Sequence, residues 1–413
     1  MEKIRRKMGR FLNLISLEDA LGRVSSAGWM PLRSEVIPTA NALGRIAFSG
    51  VMAVTDFPQW NRSLVDGFAV KAQDCRKASE TNPLVLPVNG VVEAGKSRFD
   101  GYKIGACTEI YTGGVVPQDY DAVIMAEDCY IENGTIKITS APKLWANIEK
   151  AGDDIRKGDR ILPASTRIKP WHITAMVSAG VDAIEVYEKI KVGVISTGNE
   201  LFSGAEGKIQ NTTQNLIINF LNSGFVEADF AGMAHDDAGE IRELVTSALG
   251  KYHCVVVTGG TSLGGKDEVP EAITDISNVV FGGAMIRPGR TMTLYESRGK
   301  PVFSISGVPV PSMLSFDLFF EEYLKSMTGL KEYHRSVTGK LSSNVTNKAG
   351  YAGIYRVKLV PGEQGLTVEV IRTHGTGSIS SILDSDGTIL IPGTVEGLEA
   401  GRLVEVKLFG DRF

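Results

Sequence analysis

The sequence predicts a multidomain protein of the α/β and β classes. At 413 residues the chain is long for one hydrophobic core, which favours about two to four domains. Between residues 189 and 330, apolar strands alternate with helical patterns, as in a domain built on a central parallel sheet. Short alternating segments indicate a β-rich N-terminal lobe at 61–144 and a C-terminal β-barrel at 335–413. Residues 1–60 and 145–188 would form the extended helical and β linker that carries the lobe.

The composition favours a cytoplasmic protein with neither nucleic acid nor membrane as a partner. Lys and Arg total 44 against 48 Asp and Glu, a formal net charge of −4, so no overall field attracts polyanions. No apolar run approaches the roughly 20 residues that span a bilayer, and the basic start lacks the apolar core and cleavage site of a signal peptide. The widely spaced cysteines argue against zinc and disulfides and are expected to be core residues. They are Cys75, Cys107, Cys129 and Cys254.

The segment from Cys254 to Glu268 is the most informative stretch for a binding function. Four apolar residues run into Thr-Gly-Gly-Thr-Ser, which predicts a buried strand followed by a glycine turn. Gly259 and Gly260 would let an anion reach the backbone, while Ser262 and Asp267 add a hydroxyl and a carboxylate. The stretch matches neither the Walker loop nor the dinucleotide fingerprint, so a tight turn without a ligand stays an alternative.

Two further turns should meet this one at the same edge of the sheet. Thr197 and Gly198 end the first strand of the α/β region, and Gly307 follows a later strand. Because ligands of open α/β sheets bind beyond the carboxyl ends of the strands, we expect the three turns to line one crevice.

Carboxylates accumulate near the same turns. Glu200, Asp236, Asp237 and Asp267 would approach this edge, an arrangement suited to a hard cation that bridges phosphate oxygens. Ordinary surface carboxylates are the alternative, and geometry rather than number decides between the two interpretations.

A second candidate site is the irregular loop from Val54 to Val70. Ser63 and Asp66 lie there beside the aromatic residues Trp60 and Phe68, and loops of this kind often carry binding residues. The alternative is a simple Asp-Gly turn with packed aromatic rings.

Helix ends are predicted from capping residues. Ser16 precedes an apolar run with acidic residues in its first turn, which predicts a helix from Leu17. Lys169 to Gly180 has proline in the first turn and glycine at the end of a second helix. We expect His172 in that helix to pack or to cap rather than to catalyse. Residues 313–327 predict an amphipathic helix.

Seven segments of the chain occur in a recognisable order and spacing. They are Ser63–Val70, Ile110–Pro117 with Tyr120–Val123 and Glu127, Gly152–Asp159, Val194–Leu201, Gly259–Asp267, Arg287–Arg290 and Ser306–Pro309. Together they resemble a divergent member of the molybdopterin molybdenumtransferase family, called MoeA in bacteria and the E domain of gephyrin in animals. The resemblance covers nearly the whole chain.

The resemblance implies an enzyme that inserts molybdate into the dithiolene of molybdopterin. Adenylylated molybdopterin would be the substrate, and AMP would leave in a Mg²⁺-dependent step. The resemblance also implies a homodimer, with the active cleft between the α/β domain of one subunit and the β lobe of the other, and a molybdopterin adenylyltransferase that supplies the substrate. The sequence does not distinguish molybdate from tungstate as the oxyanion that is inserted. The alternatives are a non-catalytic dimeric pterin-binding or scaffold relative, and a phosphate-ester enzyme without a pterin.

The family motifs imply roles for individual residues. The implied catalytic residues are Asp66, Glu200, Asp237 and Asp267, and the implied metal ligands are Glu200 and Asp267. The implied substrate-binding residues are Ser63, Thr112, Thr197, Gly198, Gly259, Gly260, Ser262, Arg287, Arg290, Gly307, Pro309 and Ser378.

The chain departs from the family pattern near the expected crevice. Asn199 and Asn211 replace aspartates, and Thr213 replaces an asparagine, which lowers the local negative charge. In the Leu-Pro-Gly-Asn-Pro turn, Ser306 and Val308 replace proline and asparagine. A valine side chain cannot donate the hydrogen bond that asparagine would give to an oxyanion, so the resemblance supports pterin binding more directly than metal insertion. Two further replacements are His253 for aspartate and Arg290 for lysine.

Overall fold

The computed structural model describes residues 14–95, 103–202, 210–259, 268–331, 334–362, 365–371 and 378–409. Before the lobe lie α1 (Leu17–Ser26), β1 (Ser34–Pro38), β2 (Val51–Met52) and β3 (Arg62–Ser63). The lobe contains β4 (Gly67–Val70), β5 (Leu84–Val92), β6 (Cys107–Ile110), β7 (Ala122–Met125), β8 (Cys129–Glu132) and β9 (Thr135–Ile138). The chain then returns through β10 (Ile148–Glu149), β11 (Arg160–Leu162), α2 (Pro170–Ser178) and β12 (Ala183–Tyr187).

The second half of the chain contains the central and C-terminal domains. The central elements are β13 (Ile190–Thr197), α3 (Thr212–Leu221), β14 (Val226–Ala234), α4 (Ala238–Lys251), β15 (Cys254–Thr258), α5 (Val269–Thr274), β16 (Asn278–Gly282), β17 (Ile286–Arg287), β18 (Thr293–Ser297), β19 (Lys300–Ile305) and α6 (Pro309–Thr328). The C-terminal elements are β20 (Ser336–Leu341), β21 (Val345–Thr346), β22 (Ala352–Gly362), β23 (Gly365–Val370), α7 (Ser380–Leu383), β24 (Gly387–Ile391), β25 (Gly397–Leu398) and β26 (Leu403–Leu408).

The first helix packs on the central domain. The Ser16 Oγ accepts the backbone N–H of Asp19 at 3.0 Å and caps α1, so the helix begins where its capping residue predicts. Leu17 and Val24 are buried in the same apolar cluster as strands β13 and β15 of the central sheet. The predicted linker range of residues 1–60 therefore includes a helix that shares the core of its neighbour.

Short antiparallel pairs form the linker between the lobe and the central domain. Strand β1 pairs with β12, β2 with β11, and β3 with β10. Pro170 is the first residue of α2, and Gly180 follows the helix with a φ of +76°, as predicted. The Nδ1 atom of His172 accepts the backbone N–H of Lys169 at 3.1 Å, so this histidine caps the helix.

The lobe is a six-stranded sheet in the order β7-β4-β6-β5-β9-β8. Its core buries Cys75 and Cys107 completely and packs Cys129 against them. Burial raises the pKa of Cys75 and Cys107 to about 12 and that of Cys129 to about 11. These thiols stay protonated at neutral pH and act as small core side chains, as expected from their spacing.

The central domain is the predicted α/β sheet with helices on both faces. Its strand order is β14-β13-β15-β19-β18-β16, in which the first four strands are parallel and the last two antiparallel. Residues along β15 alternate between the two faces. Cys254 and Val256 pack with α3 and α6, whereas Val255 and Val257 pack with α4 and α5.

Helix α6 is longer and more buried than the amphipathic helix predicted for residues 313–327. It starts at Pro309, and Gly329 ends it with a φ of +67°. The rings of Phe316, Phe319 and Phe320 are fully buried, because α1 and α3 cover the sides of α6 that the sheet leaves open. Within the described residues, no helix combines the length and apolar character needed to cross a membrane.

The C-terminal domain closes into the predicted β-barrel. The strands follow the order β22-β23-β20-β26-β24, and β24 pairs back onto β22. Strand β17 joins the barrel through a parallel pairing of Ile286 with Ala352 and of Arg287 with Gly353. The segment that carries Arg287 therefore links the central domain to the barrel.

Candidate functional site

Three turns converge at one edge of the central sheet. Strands β13, β15 and β19 lie side by side and end at Thr197, Thr258 and Ile305. The N–H of Gly259 donates to the Ile305 carbonyl at 3.1 Å. A Cβ atom built on Gly307 would lie 3.7 Å from the Gly259 Cα. The structure thus brings together the predicted turns after these strands.

Gly259 has no room for a side chain. Its φ is +104°, which L residues rarely adopt, and a Cβ there would lie 2.3 Å from the Thr197 carbonyl oxygen. The backbones after β13 and β15 are therefore in direct contact. Because Gly259 has no side chain, an anionic ligand could approach this backbone closely. Gly260, Ser262 and Asp267 lie outside the described residues.

Buried hydroxyl and amide groups hold the turns in register. The side-chain amide of Asn211 donates to the Ser196 Oγ at 2.8 Å, and the Thr258 hydroxyl donates to the same atom at 3.1 Å. The Thr213 hydroxyl donates to the Gly307 carbonyl at 2.6 Å. Asn211 and Thr213, which depart from the family pattern, thus bind a strand residue and a turn residue. Ser196 was not predicted as a site residue from the sequence.

The Glu200 carboxylate lies at the turn after β13. A Cβ on Gly198, whose φ is +142°, would lie 2.4 Å from Glu200 Oε1 and 2.7 Å from Oε2. The carboxylate therefore lies directly over the Gly198 backbone. Glu200 is exposed and has no hydrogen-bond or ion-pair partner within the described parts of the chain.

The neighbouring carboxylates are engaged in local structure. The Asn199 N–H donates to Asp236 Oδ2 at 3.3 Å, and the Asp236 N–H donates to Asn199 Oδ1 at 3.1 Å. The Asp237 Oδ1 accepts the N–H of Glu240 at 2.8 Å and caps α4. Asp237 therefore has a clear capping role, and its catalytic role remains a prediction.

The donor set at this edge fits a hard cation with an incomplete protein shell. In the described residues, no three His, Cys, Asp or Glu side chains lie close enough together to hold a metal ion. Mg²⁺ needs less from the protein, because it binds one or two carboxylates and completes its octahedron with water and substrate phosphates. The exposed Glu200 carboxylate beside the glycine turns is consistent with that requirement.

The start of α6 offers few donors to an anion. The N–H of Val308, the N-cap residue, donates to the Ser306 Oγ at 3.2 Å. Pro309 and Pro311 have no N–H, which leaves the amide of Val310 as the main-chain donor of the first three helical residues. A helix N-terminus normally presents several such groups.

The predicted arginines lie on the turn that packs against α6. A Cβ on Gly289, whose φ is +96°, would lie 2.3 Å from the Cβ of Ser315 in α6, so this turn contacts the helix closely. Arg287 and Arg290 are exposed. The Arg287 guanidinium carbon lies 5.4 Å from the centre of the Tyr351 ring of the barrel, which orients it by a cation–π contact.

The lobe holds a second polar constellation, formed by Asp66 and Thr112. The Asp66 Oδ1 accepts the Thr112 N–H at 2.7 Å and the Thr112 hydroxyl at 2.8 Å. The backbone hydrogen bond, followed by the hydroxyl hydrogen bond, lowers the pKa of Asp66 below its usual value. Asp66 is thus an exposed, ionised carboxylate in a fixed orientation.

The other predicted residues of the lobe and the barrel make local contacts. Ser63 is buried, and its hydroxyl donates to the Val65 carbonyl at 2.6 Å. Its backbone carbonyl accepts the Gly113 N–H, so Ser63 shapes the loop under Asp66. Ser378 lies two residues before α7, and its Oγ is 2.8 Å from the Oγ of Ser380, the first residue of that helix.

An aromatic pair beside the sheet edge was not anticipated from the sequence. The rings of Phe202 and His235 are stacked, with centroids 3.7 Å apart and an angle of 14° between their planes. His235 directly follows the last residue of β14, and Phe202 follows the short 3₁₀ turn Asn199–Leu201. The sequence feature that could have indicated this pair is Phe202, an aromatic residue directly after the Thr-Gly-Asn-Glu-Leu segment.

Three family models match successive parts of the chain. The MoeA N-terminal region (domain I and II) matches residues 15–180, and the probable molybdopterin binding domain matches residues 193–326. The MoeA C-terminal region (domain IV) matches residues 338–409. The matches follow the order of the lobe and linker, the central domain and the barrel.

Relatives of similar length support the same assignment. A protein of Methanocaldococcus jannaschii named for molybdopterin biosynthesis is 32% identical over 386 residues, covering 90% of this chain and 91% of the relative. A molybdopterin molybdenumtransferase of Staphylococcus epidermidis is 28% identical over 400 residues, covering 95% of each. The crystal structure of the molybdopterin biosynthesis MoeA protein from Pyrococcus horikosii is 31% identical, with a TM-score of 0.80, and covers 96% of this chain and 99% of that chain. The chain is therefore a member of the MoeA family of molybdenum cofactor biosynthesis proteins.

Proposed function

We propose that this protein inserts molybdate into adenylylated molybdopterin and releases AMP. The observation that carries the proposal is the convergence of three turns from parallel strands, after Thr197, Thr258 and Ile305, beside the exposed Glu200 carboxylate. Staphylococcal relatives that match about 95% of the chain bear the name molybdopterin molybdenumtransferase.

The turns supply the groups that a pyrophosphate needs. The backbone without side chains at Gly198, Gly259 and Gly260 would let phosphate oxygens approach closely, and the Gly260 N–H and the Ser262 hydroxyl would donate to them. The Thr197 hydroxyl, which donates to the Thr258 carbonyl, would hold the turn in place. Arg287 and Arg290 would neutralise the remaining charge from the turn beside α6. These groups bind and orient the phosphoanhydride before AMP departs.

Glu200, together with Asp267, would hold Mg²⁺ at this edge. When bound, the ion neutralises charge that develops on the phosphate oxygens. Asn199 instead of aspartate lowers the negative charge beside Asp236 and Glu200, which favours the approach of an anionic substrate over the binding of a second cation.

The lobe would complete the cleft in a homodimer. Asp66 is ionised and held by Thr112, so it can accept a hydrogen bond from a polar group of the pterin and orient it. We propose that Asp66 reaches the sheet edge of the partner subunit rather than that of its own chain, and that a molybdopterin adenylyltransferase delivers the substrate.

A second candidate function is pterin binding without metal insertion. It is favoured by the start of α6, where Val308 has no polar side chain and two prolines leave Val310 as the main-chain donor. An oxyanion such as molybdate binds best where several donors converge. The transferase proposal therefore requires hydroxyl groups, among them Ser306, to replace the missing donors.

The deciding experiment follows AMP release and metal loading together. Purified protein is incubated with adenylylated molybdopterin and Mg²⁺, with and without molybdate or tungstate. We expect oxyanion-dependent AMP release and metal on the pterin, and a roughly 100-fold lower rate for Glu200→Gln. The matched control is Glu243→Gln, an exposed glutamate on α4. Tight binding of the pterin without oxyanion-dependent turnover would overturn the transferase proposal in favour of the binding function.

A further inference from the structure

Phe202 and His235 form an exposed aromatic pair at the sheet edge. Phe202 is 38% exposed, and the side chain of His235 is 50% exposed. The rings face each other at 3.7 Å, so one face of each ring is covered and much of the remaining ring surface contacts water. Such a surface gains free energy when a further flat ring covers it.

Contacts away from the ring faces hold the pair in place. The Nδ1 atom of His235 lies 3.0 Å from Glu240 Oε2, and this carboxylate oxygen also accepts the His235 backbone N–H at 3.2 Å. Glu240 is itself fixed, because its N–H donates to the capping Asp237. The Phe202 N–H closes the 3₁₀ turn by donating to the Asn199 carbonyl at 3.2 Å. The pair is therefore preorganised.

The pair adjoins the turn that we assign to phosphate. The Gly198 N–H donates to the carbonyl of Ala234, the residue before His235, at 3.2 Å. The reciprocal hydrogen bonds between Asn199 and Asp236 join the same two segments. A nucleotide has a flat base and a phosphate separated by one ribose, and this edge presents a ring surface and a glycine turn as close neighbours.

We infer that Phe202 and His235 form the stacking surface for the adenine base of the adenylylated substrate and of AMP. The inference rests on the proposed function and deepens it, because it assigns a subsite to the nucleotide half of the substrate. Stacking recognises the face of the base and needs no hydrogen bond from the protein. The phosphate binds at the turns and the base binds on the rings.

The test compares a nucleotide with its base-free analogue by isothermal titration calorimetry. AMP and ribose 5-phosphate are titrated into wild type, Phe202→Leu, Phe202→Tyr and His235→Asn. We expect Phe202→Leu and His235→Asn to weaken AMP binding about tenfold or more and to leave ribose 5-phosphate binding unchanged. Phe202→Tyr keeps the ring and should retain AMP affinity.

The matched control is Phe48→Leu. Phe48 is 39% exposed and contacts the Tyr187 ring edge to face, with centroids 4.9 Å apart, in the linker region. This variant should bind AMP like wild type. An equal loss for AMP and ribose 5-phosphate, equal affinity of wild type for both, or full AMP affinity in Phe202→Leu would each overturn the stacking role.

The failure of this inference can be told from the failure of the proposed function. Base-dependent AMP binding that needs Phe202, in a protein without oxyanion-dependent turnover, would support the stacking surface and reject the transferase. Oxyanion-dependent turnover in a protein whose Phe202→Leu variant binds AMP normally would support the transferase and reject the stacking surface.

Discussion

Asn211 uses both ends of its side-chain amide. Its Oδ1 accepts the Gln214 N–H at the start of α3 at 3.4 Å, and its Nδ2 donates to the Ser196 Oγ at 2.8 Å. An ionised aspartate, which only accepts, could cap the helix but could not donate to Ser196. Asn199 likewise binds Asp236 without bringing two negative charges together. The amides that depart from the family pattern thus stabilise the sheet edge.

His172 and His253 should make the fold sensitive to mild acid. Each accepts a backbone N–H at Nδ1, from Lys169 and from Lys191, so each must be neutral there. Burial and, to a smaller extent, the charge of Lys169 lower the pKa of His172. Burial is also the main cause of the lowered pKa of His253, and the negative charge of Glu188 opposes it. Because the unfolded chain protonates first, stability is complete above about pH 6.5 and falls as the pH drops towards the folded pKa values.

The measurement is the free energy of unfolding from urea titrations between pH 8 and pH 5. Wild type should lose stability over this range, and the double variant His172→Asn with His253→Asn should lose less, since an amide oxygen accepts the same N–H without titrating. Equal pH slopes for the two proteins would contradict the role of the histidines.

Asp66 should be ionised at neutral pH and should titrate at lower pH than an ordinary aspartate. The backbone N–H and the hydroxyl of Thr112 lower its pKa below the usual value, and Thr112→Val removes the hydroxyl but keeps the N–H. We therefore expect the Asp66 carboxyl ¹³C signal to titrate below its usual range and to shift upwards in Thr112→Val. An unchanged titration in the variant would mean that the hydroxyl does not stabilise the carboxylate.

At the scale of elements, the site depends on how strands end. Strand β15 is followed by Gly259, whose positive φ favours glycine. The Gly259 Cα lies against the turn after β13. The start of α6 faces the same edge, and the Thr213 hydroxyl of α3 binds the Gly307 carbonyl that precedes it. Three parallel strands and two helices thus each contribute one residue or turn to the candidate site.

Gly259→Ala should disrupt the edge. The new methyl group would lie 2.3 Å from the Thr197 carbonyl oxygen at a φ of +104°, and such strain costs on the order of 1–3 kcal/mol. The expected result is a lower free energy of unfolding together with weaker binding of AMP or phosphate, measured by denaturation and calorimetry.

The matched control is Gly250→Ala. Gly250 lies within α4, and a Cβ added there would have no atom within 4 Å. Alanine should stabilise this helix by about 0.5–1 kcal/mol and leave binding unchanged. If Gly259→Ala behaved like Gly250→Ala, the contact between the two turns would not matter for stability or for binding.

At the scale of the whole molecule, α6 connects the sheet edge to the barrel. Glu321 lies about 18 Å along the helix from Pro309, and its side chain is 8% exposed. Lys325 donates to it at 2.7 Å, and Lys407 of β26 also binds it. Burial alone would raise the pKa of Glu321, but Lys407 and Lys325 hold it below its usual value. An ionic contact thus joins the two domains.

Glu321→Gln should loosen the attachment of the barrel. The amide keeps the shape but removes the charge between two lysines that are each about one-third exposed. We expect the free energy of unfolding to fall by about 2 kcal/mol, less than for a fully buried pair. The control Glu322→Gln keeps an acceptor for the Ser25 hydroxyl and should cost under about 0.5 kcal/mol. Equal stability of both variants would show that Glu321 contributes no link between the domains.

The sequence by itself determined the features that depend on neighbouring residues. Ser16 and Pro170 mark helix starts, apolar runs mark buried strands, and Thr258 followed by Gly259 marks a turn. Alternation of strands and helices was enough to predict the parallel sheet, because each parallel connection needs a crossover. The barrel and the lobe followed from short alternating strands.

Only the tertiary structure decided which distant residues touch. The stack of Phe202 on His235, the position of Glu200 over Gly198 and the ionic contacts of Glu321 join residues through strand order, register and packing. The burial of α6 has the same origin, since its outer side is covered by α1 from the far end of the chain. Local patterns specify backbone shape, whereas side-chain contacts between domains depend on how those shapes pack.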